Sequence, residues 1–140
     1  MREIYFDNSS TTRVCREAAD RMMEMLTENY GNPSSLHALG FRAERAMEEA
    51  RSAVASLLGV GTEEIFFTSG GTESDNLALF GAAHALKKRG NRIVTTRIEH
   101  PAVLNTMKRL EQEGFSVTYL KPDSFGRVDA EQIRAAIGRD

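Results

Sequence analysis

The feature that most constrains this chain is a change of hydrophobic period near residue 60. Beyond it, short β-prone runs alternate with helical stripes, and glycines or polar turns separate them. Ile65-Phe66-Phe67-Thr68 reads as a buried strand, followed by the tight loop Ser69-Gly70-Gly71-Thr72. A helix is predicted over 72–88, ending at Gly90, and a second strand over 92–96. His100-Pro101 opens the next helix, with proline at its favoured first position. Val103, Leu104, Met107 and Leu110 form its apolar stripe, Gly114 ends it, and a third strand is predicted over 116–120. Asp129 with Gln132 has the spacing of a capping box for a last helix. This order predicts an α/β fold on a mainly parallel sheet with flanking helices. Right-handed crossovers collect the loops after the strands at one sheet edge, where open α/β sheets bind ligands. The 69–72 and 97–100 segments both fall at that edge.

Before residue 60 the chain reads as an arm and helices. Glu3 to Phe6 is a short apolar arm, and Asp7-Asn8-Ser9-Ser10-Thr11-Thr12 is a loop whose side chains can bond nearby backbone. Ala19, Met22, Met23 and Leu26 predict a helix over 16–30, which Gly31-Asn32-Pro33-Ser34-Ser35 breaks. A long helix over 36–58 carries Leu39, Ala43, Ala46, Met47, Ala50, Val54 and Leu57 along one side, and Gly59 and Gly61 stop it. The expected division is therefore an N-terminal arm and helices over 1–60 and an α/β part over 61–140.

Bulk properties narrow the function classes. The 140 residues are 41% hydrophobic and 27% charged with net charge -2, so disorder is not expected and neither nucleic acid nor a membrane surface is called for. The single cysteine, Cys15, can form no internal disulfide. The N-terminus has no signal-peptide core, and no apolar run approaches a membrane span, which leaves a cytoplasmic location as the default.

Three segments can carry chemistry. In Ser69-Gly70-Gly71-Thr72-Glu73-Ser74 a strand leads in and a helix leaves, so the first N–H groups of that helix favour an anion. Gly70 and Gly71 allow close approach, and Thr72 and Ser74 offer hydroxyls. No P-loop lysine is present, which disfavours a nucleoside triphosphate. The competing reading is a glycine turn with a threonine cap and no ligand. His100, with Glu99 beside it, could stack on a flat ring or shuttle a proton, or could simply cap a helix. The polar 29–37 loop could serve a site or be an interhelical turn, and its His37 reads as packed or solvated. Cys15 reads as a small residue at a helix boundary and His84 as structural or solvated. No metal-ligand cluster, nucleophile elbow or dinucleotide fingerprint is present.

Taken in order, four segments resemble the start of the NifS/IscS-type cysteine desulfurases. They are residues 4–12 (IYFDNSSTT), 31–37 (GNPSSLH), 67–76 (FTSGGTESDN), and Glu99-His100 with Ala102-Val103. Ser10 and Gly71 stand where alanine is usual, and both are small. The resemblance covers the whole chain. It implies the large domain of a type I pyridoxal-phosphate-dependent transferase, with 61–140 as the first part of its cofactor-binding domain. It further implies pyridoxal 5'-phosphate as cofactor, L-cysteine as substrate, L-alanine and an enzyme persulfide as products, and a homodimer. A sulfur-acceptor scaffold protein and iron-sulfur cluster assembly fit the same family. Residue by residue, Gly71 and Thr72 would hold the cofactor phosphate. His100 would stack on the pyridine ring and act in proton transfer, and the 32–37 loop would lie near the active site or dimer contact.

The family's Schiff-base lysine and persulfide cysteine fall in later segments. Lys87, Lys88, Lys108 and Lys121 do not fit the lysine motif, and Cys15 is in the wrong segment for the sulfur carrier. The resemblance therefore implies an N-terminal part that is inactive alone. The alternatives are a non-catalytic half-domain that pairs with a separate C-terminal half, a class V aminotransferase, or a selenocysteine lyase.

Overall fold

The computed structural model describes residues 4–138; Glu3 of the expected arm lies outside them. The chain divides into two compact units, residues 1–66 and 67–140.

The first unit holds α1 (Arg16–Thr27), α2 (Ala38–Leu58) and a 3-10 turn (Thr62–Glu64). Helix α1 stops before the expected residue 30, because the Glu28 and Asn29 N–H groups both turn back onto Glu24 O, at 2.9 and 3.0 Å. Helix α2 starts at Ala38 because His37 caps it, its Nδ1 accepting from Gly40 N at 3.2 Å. Gly59 ends α2 at φ 70°, the left-handed geometry glycine adopts without strain.

The second unit holds α3 (Gly71–Leu86), β1 (Arg92–Thr96), α4 (Pro101–Gln112), β2 (Ser116–Leu120) and α5 (Ala130–Ile137). Strands β1 and β2 pair in parallel, Arg92 opposite Ser116 through Thr96 opposite Leu120. A parallel pair needs a crossover, and α4 is that crossover. Met107, Leu110 and Phe115 form the buried centre, with Leu79, Phe80, Ala83, Ile93, Val103, Val117 and Tyr119 packed on it. The expected stripe of α4 thus meets α3 and both strands. The Asp129–Gln132 capping box forms as its spacing implies.

One expected strand is absent. Residues 65–68 form no strand, and the sheet among the described residues is β1 and β2 alone. The reason lies in the backbone of Ile65. Its N–H donates to Thr62 O at 3.2 Å, and its carbonyl accepts from the Arg51 guanidinium. Both polar groups a ladder would use at that residue are engaged within the first unit, one by Thr62 and one by Arg51 of α2, and Phe66 is left 72% exposed. No helix among the described residues is long and apolar enough to cross a membrane.

Candidate active site

The first turn of α3 is built from the turn that precedes it. Thr68 Oγ1 and Ser74 Oγ lie 2.6 Å apart, closing the loop across its mouth. The helical ladder begins with Ser74 N donating to Gly70 O at 3.1 Å. The N–H groups of Gly71, Thr72 and Glu73 therefore have no intrahelical acceptor, and among the described residues no side chain caps them. A Cβ placed on Gly70 or Gly71 would meet no atom within 4 Å, so the backbone there is open to an incoming group. The Thr72 hydroxyl makes no hydrogen bond among the described residues, while its carbonyl accepts from Asn76 Nδ2 at 2.7 Å.

Glu73 is the acidic residue of that turn. Its Oε2 is drawn back onto Ser69, accepting from the backbone N at 2.7 Å and the hydroxyl at 2.6 Å. The Ser69 hydroxyl, with the Ser69 N–H, holds this carboxyl below the usual carboxylate value. The carboxylate thus binds the residue before the helix, and the N–H groups of the first turn stay available.

His100 is the N-cap of α4. Its Nδ1 accepts from Ala102 N at 3.1 Å, and Pro101 follows at the first helical position. With Nδ1 accepting, the proton of a neutral ring sits on Nε2, and the ring is exposed. Glu99 turns away from it, its Oε1 accepting from Thr96 Oγ1 at 2.7 Å.

Sequence reasoning named the two helix starts and missed what joins them. Thr106, 2% exposed, places Oγ1 2.8 Å from Asn76 Oδ1 and 2.8 Å from Ala102 O. Asn76 reaches Thr72 on one side and Thr106 on the other. The available signal was a threonine at a core position of the α4 stripe, three residues after Val103 and four before Leu110.

The other candidates are placed as follows. The 32–37 loop belongs to the first unit, where Asn32 Oδ1 accepts from Ser34 N at 2.9 Å and Asn32 O from Ser35 N at 3.0 Å. Cys15 is the exposed N-cap of α1, without a side-chain capping bond. His84 pairs with Glu113 at 2.8 Å and stacks on Phe80 at 5.9 Å.

The family model for aminotransferase class-V matches residues 4–140. The chain belongs to this family. A NifS/IcsS protein homolog of Lactobacillus delbrueckii subsp. bulgaricus is 50% identical over 137 residues, which is 98% of this chain and 36% of that protein. A cysteine desulfurase IscS of Neisseria meningitidis serogroup A is 48% identical over 138 residues, covering 98% of this chain and 34% of the relative. Among solved structures, a NifS-like protein superposes with a TM-score of 0.83 at 48% identity, over 93% of this chain and 36% of that one. The apo cysteine desulfurase from Thermococcus onnurineus NA1 gives 0.81 at 34% identity, over 96% of this chain and 34% of that one. The 140 residues thus span 34–36% of the curated relatives they match. The α/β architecture expected from the sequence is that of these structural relatives.

Proposed function

We propose that these residues supply the phosphate cradle and a catalytic histidine of a pyridoxal-phosphate-dependent cysteine desulfurase. Such an enzyme moves sulfur from L-cysteine onto an enzyme thiolate as a persulfide and leaves L-alanine. The observation that carries the reading is the open first turn of α3, in a chain 48–50% identical to proteins of that name. The donor set fits a phosphate: three N–H groups at a helix N-terminus, the Thr72 hydroxyl, and glycines that admit close approach. Gly71 and Thr72 would hold it. Residues 61–140 are then the first part of the cofactor-binding large domain, and 1–60 the N-terminal arm and helices.

Pyridoxal phosphate, when bound, supplies the electron sink for chemistry at the amino-acid carbon. The chain's own contribution is to bind and to move a proton. The N–H groups of residues 71–73 neutralise phosphate charge through the helix dipole. His100 is held by Nδ1, which leaves Nε2 as the atom that exchanges a proton or meets a flat ring. A homodimer, a cytoplasmic location and delivery of the sulfur to an iron-sulfur scaffold protein belong to the same reading.

A chimera tests it. Residues 1–140 replace the matching segment of the Neisseria meningitidis relative, and alanine release from L-cysteine is measured. The expected result is turnover that falls about 10²–10⁴-fold on His100→Ala, the usual range for a proton-transfer group. The 140-residue chain alone is expected to release no alanine. Turnover by that chain alone, or a chimera indifferent to His100→Ala, overturns the assignment.

A further inference from the structure

We infer that Asn76 and Thr106 are positioning residues that tie the phosphate-facing turn of α3 to the histidine-bearing turn of α4. The inference rests on the reading of those two turns as one site. Asn76 Nδ2 donates to Thr72 O at 2.7 Å, so it grips the residue assigned to the phosphate. Asn76 Oδ1 lies 2.8 Å from Thr106 Oγ1, across the α3–α4 contact. The same hydroxyl lies 2.8 Å from Ala102 O, and the Ala102 N–H is the group that His100 Nδ1 holds at 3.1 Å. A path therefore runs from Thr72 through Asn76, Thr106 and Ala102 to His100, in which the single Thr106 O–H is shared between two acceptors, Asn76 Oδ1 and Ala102 O.

Two features separate this path from ordinary packing. Thr106 occupies a core position of α4, beside Met107 at 1% exposure and Leu110 at 0%. Valine would fill that place with nearly the same shape and no hydroxyl to satisfy, so the polar choice carries a requirement. Asn76 sits in the second turn of α3, where its amide can use both ends at once: its N–H donor faces back to the helix start and its oxygen faces the neighbouring helix. A fixed two-sided amide is a spacer. It sets the separation of two helix starts whose relative placement decides whether phosphate and ring are met together.

The test uses the full 140-residue chain and four variants. Thr106→Val removes the hydroxyl at constant shape, and Thr106→Ser keeps it. Asn76→Ala removes the spacer from a half-buried position, so a folding failure at residue 106 does not end the experiment. His100→Ala reports the effect of losing the cap alone. Without ligand, amide shifts of Gly71 and Thr72 and hydrogen exchange at Ala102 are read by NMR. Thr106→Val and Asn76→Ala are expected to move the Thr72 amide, and Thr106→Val to speed Ala102 exchange, with Thr106→Ser near wild type on both. Inorganic phosphate is then titrated against the amides of residues 71–73. The expected loss is about three- to tenfold in affinity for Thr106→Val and Asn76→Ala, the worth of one neutral hydrogen bond, restored in Thr106→Ser. Folded Thr106→Val and Asn76→Ala proteins with wild-type amide shifts at Gly71 and Thr72 overturn the inference. A wild-type chain that ignores phosphate overturns the site reading instead, while the ligand-free shifts still decide the link.

Discussion

Gly40 is a position where one added methyl group cannot be accommodated without moving backbone. It is buried in the first turn of α2, directly over the 32–35 turn. A Cβ there would lie 2.8 Å from Asn32 O and 2.9 Å from Ser35 C, and closer still to Ser35 O. All three atoms are backbone, so no side chain can swing aside. Relief requires the turn or the helix start to shift. Overpacking of this kind costs about 1–3 kcal/mol. A shift also loosens the Gly40 N–H bond to His37 Nδ1, a cap worth about 1 kcal/mol. Against these stands the helix preference for alanine over glycine, about 1 kcal/mol. Gly40→Ala should therefore destabilise the chain by about 1–3 kcal/mol. Gly71→Ala is the matched control, since a Cβ there meets nothing within 4 Å; it should not destabilise the chain and should gain up to about 1 kcal/mol from the same helix preference. Urea unfolding followed by circular dichroism gives both values, and amide exchange at Gly40 and Ser35 locates the change. A Gly40→Ala chain with wild-type midpoint and wild-type exchange at both amides refutes the steric argument.

Other outcomes follow from single contacts. The Glu73 carboxyl should titrate below its ordinary 4.5 by carboxyl-carbon NMR, and Ser69→Ala should return it toward that value. Because the folded pKa is the lower one, this contribution to stability is present above the unfolded value and is lost as pH falls through the folded value. Asp129→Ala removes the N-cap of α5 and should cost about 1 kcal/mol, read as faster exchange at the Gln132 amide, which Asp129 now holds at 2.8 Å. Leu110→Ala empties a position with 0% exposure at the centre of the second unit and should cost about 2–5 kcal/mol in urea unfolding; a loss under 1 kcal/mol would mean the core is assigned wrongly.

What the sequence revealed depended on how local the cause was. The bounds of β1 and β2 follow from short β-prone runs set between a helix end and the next helix start, and the structure places both strands at the expected residues. The starts of α4 and α5 follow from Pro101 and from the Asp129–Gln132 pair, whose causes lie within one turn. Residues 65–68 failed for the opposite reason. Their composition suits a buried strand, but a strand is a relation to a second chain segment. Here the Ile65 carbonyl accepts from Arg51, fourteen residues earlier on α2, and no propensity encodes that bond.

The same distinction runs through the candidate site. The open N–H groups of residues 71–73 were legible because two glycines before a helical stripe leave a helix start without a side-chain cap. His100 posed a choice between a capping residue and a chemical one, and the geometry removes the conflict. Capping uses Nδ1 alone, through the Ala102 N–H, and an imidazole has a second nitrogen. Fixing one nitrogen on its own helix defines the tautomer of the neutral ring and thereby which atom can exchange a proton. His37 shows that a cap does not by itself separate a chemical histidine from a structural one. It holds Gly40 N in the same way, with a buried glycine and a tight turn around it. What distinguishes His100 is the Asn76–Thr106 path behind its cap, which leads to the turn proposed to hold a phosphate. That path joins residues 30 positions apart in sequence, across two helices, which is why it became visible only in three dimensions.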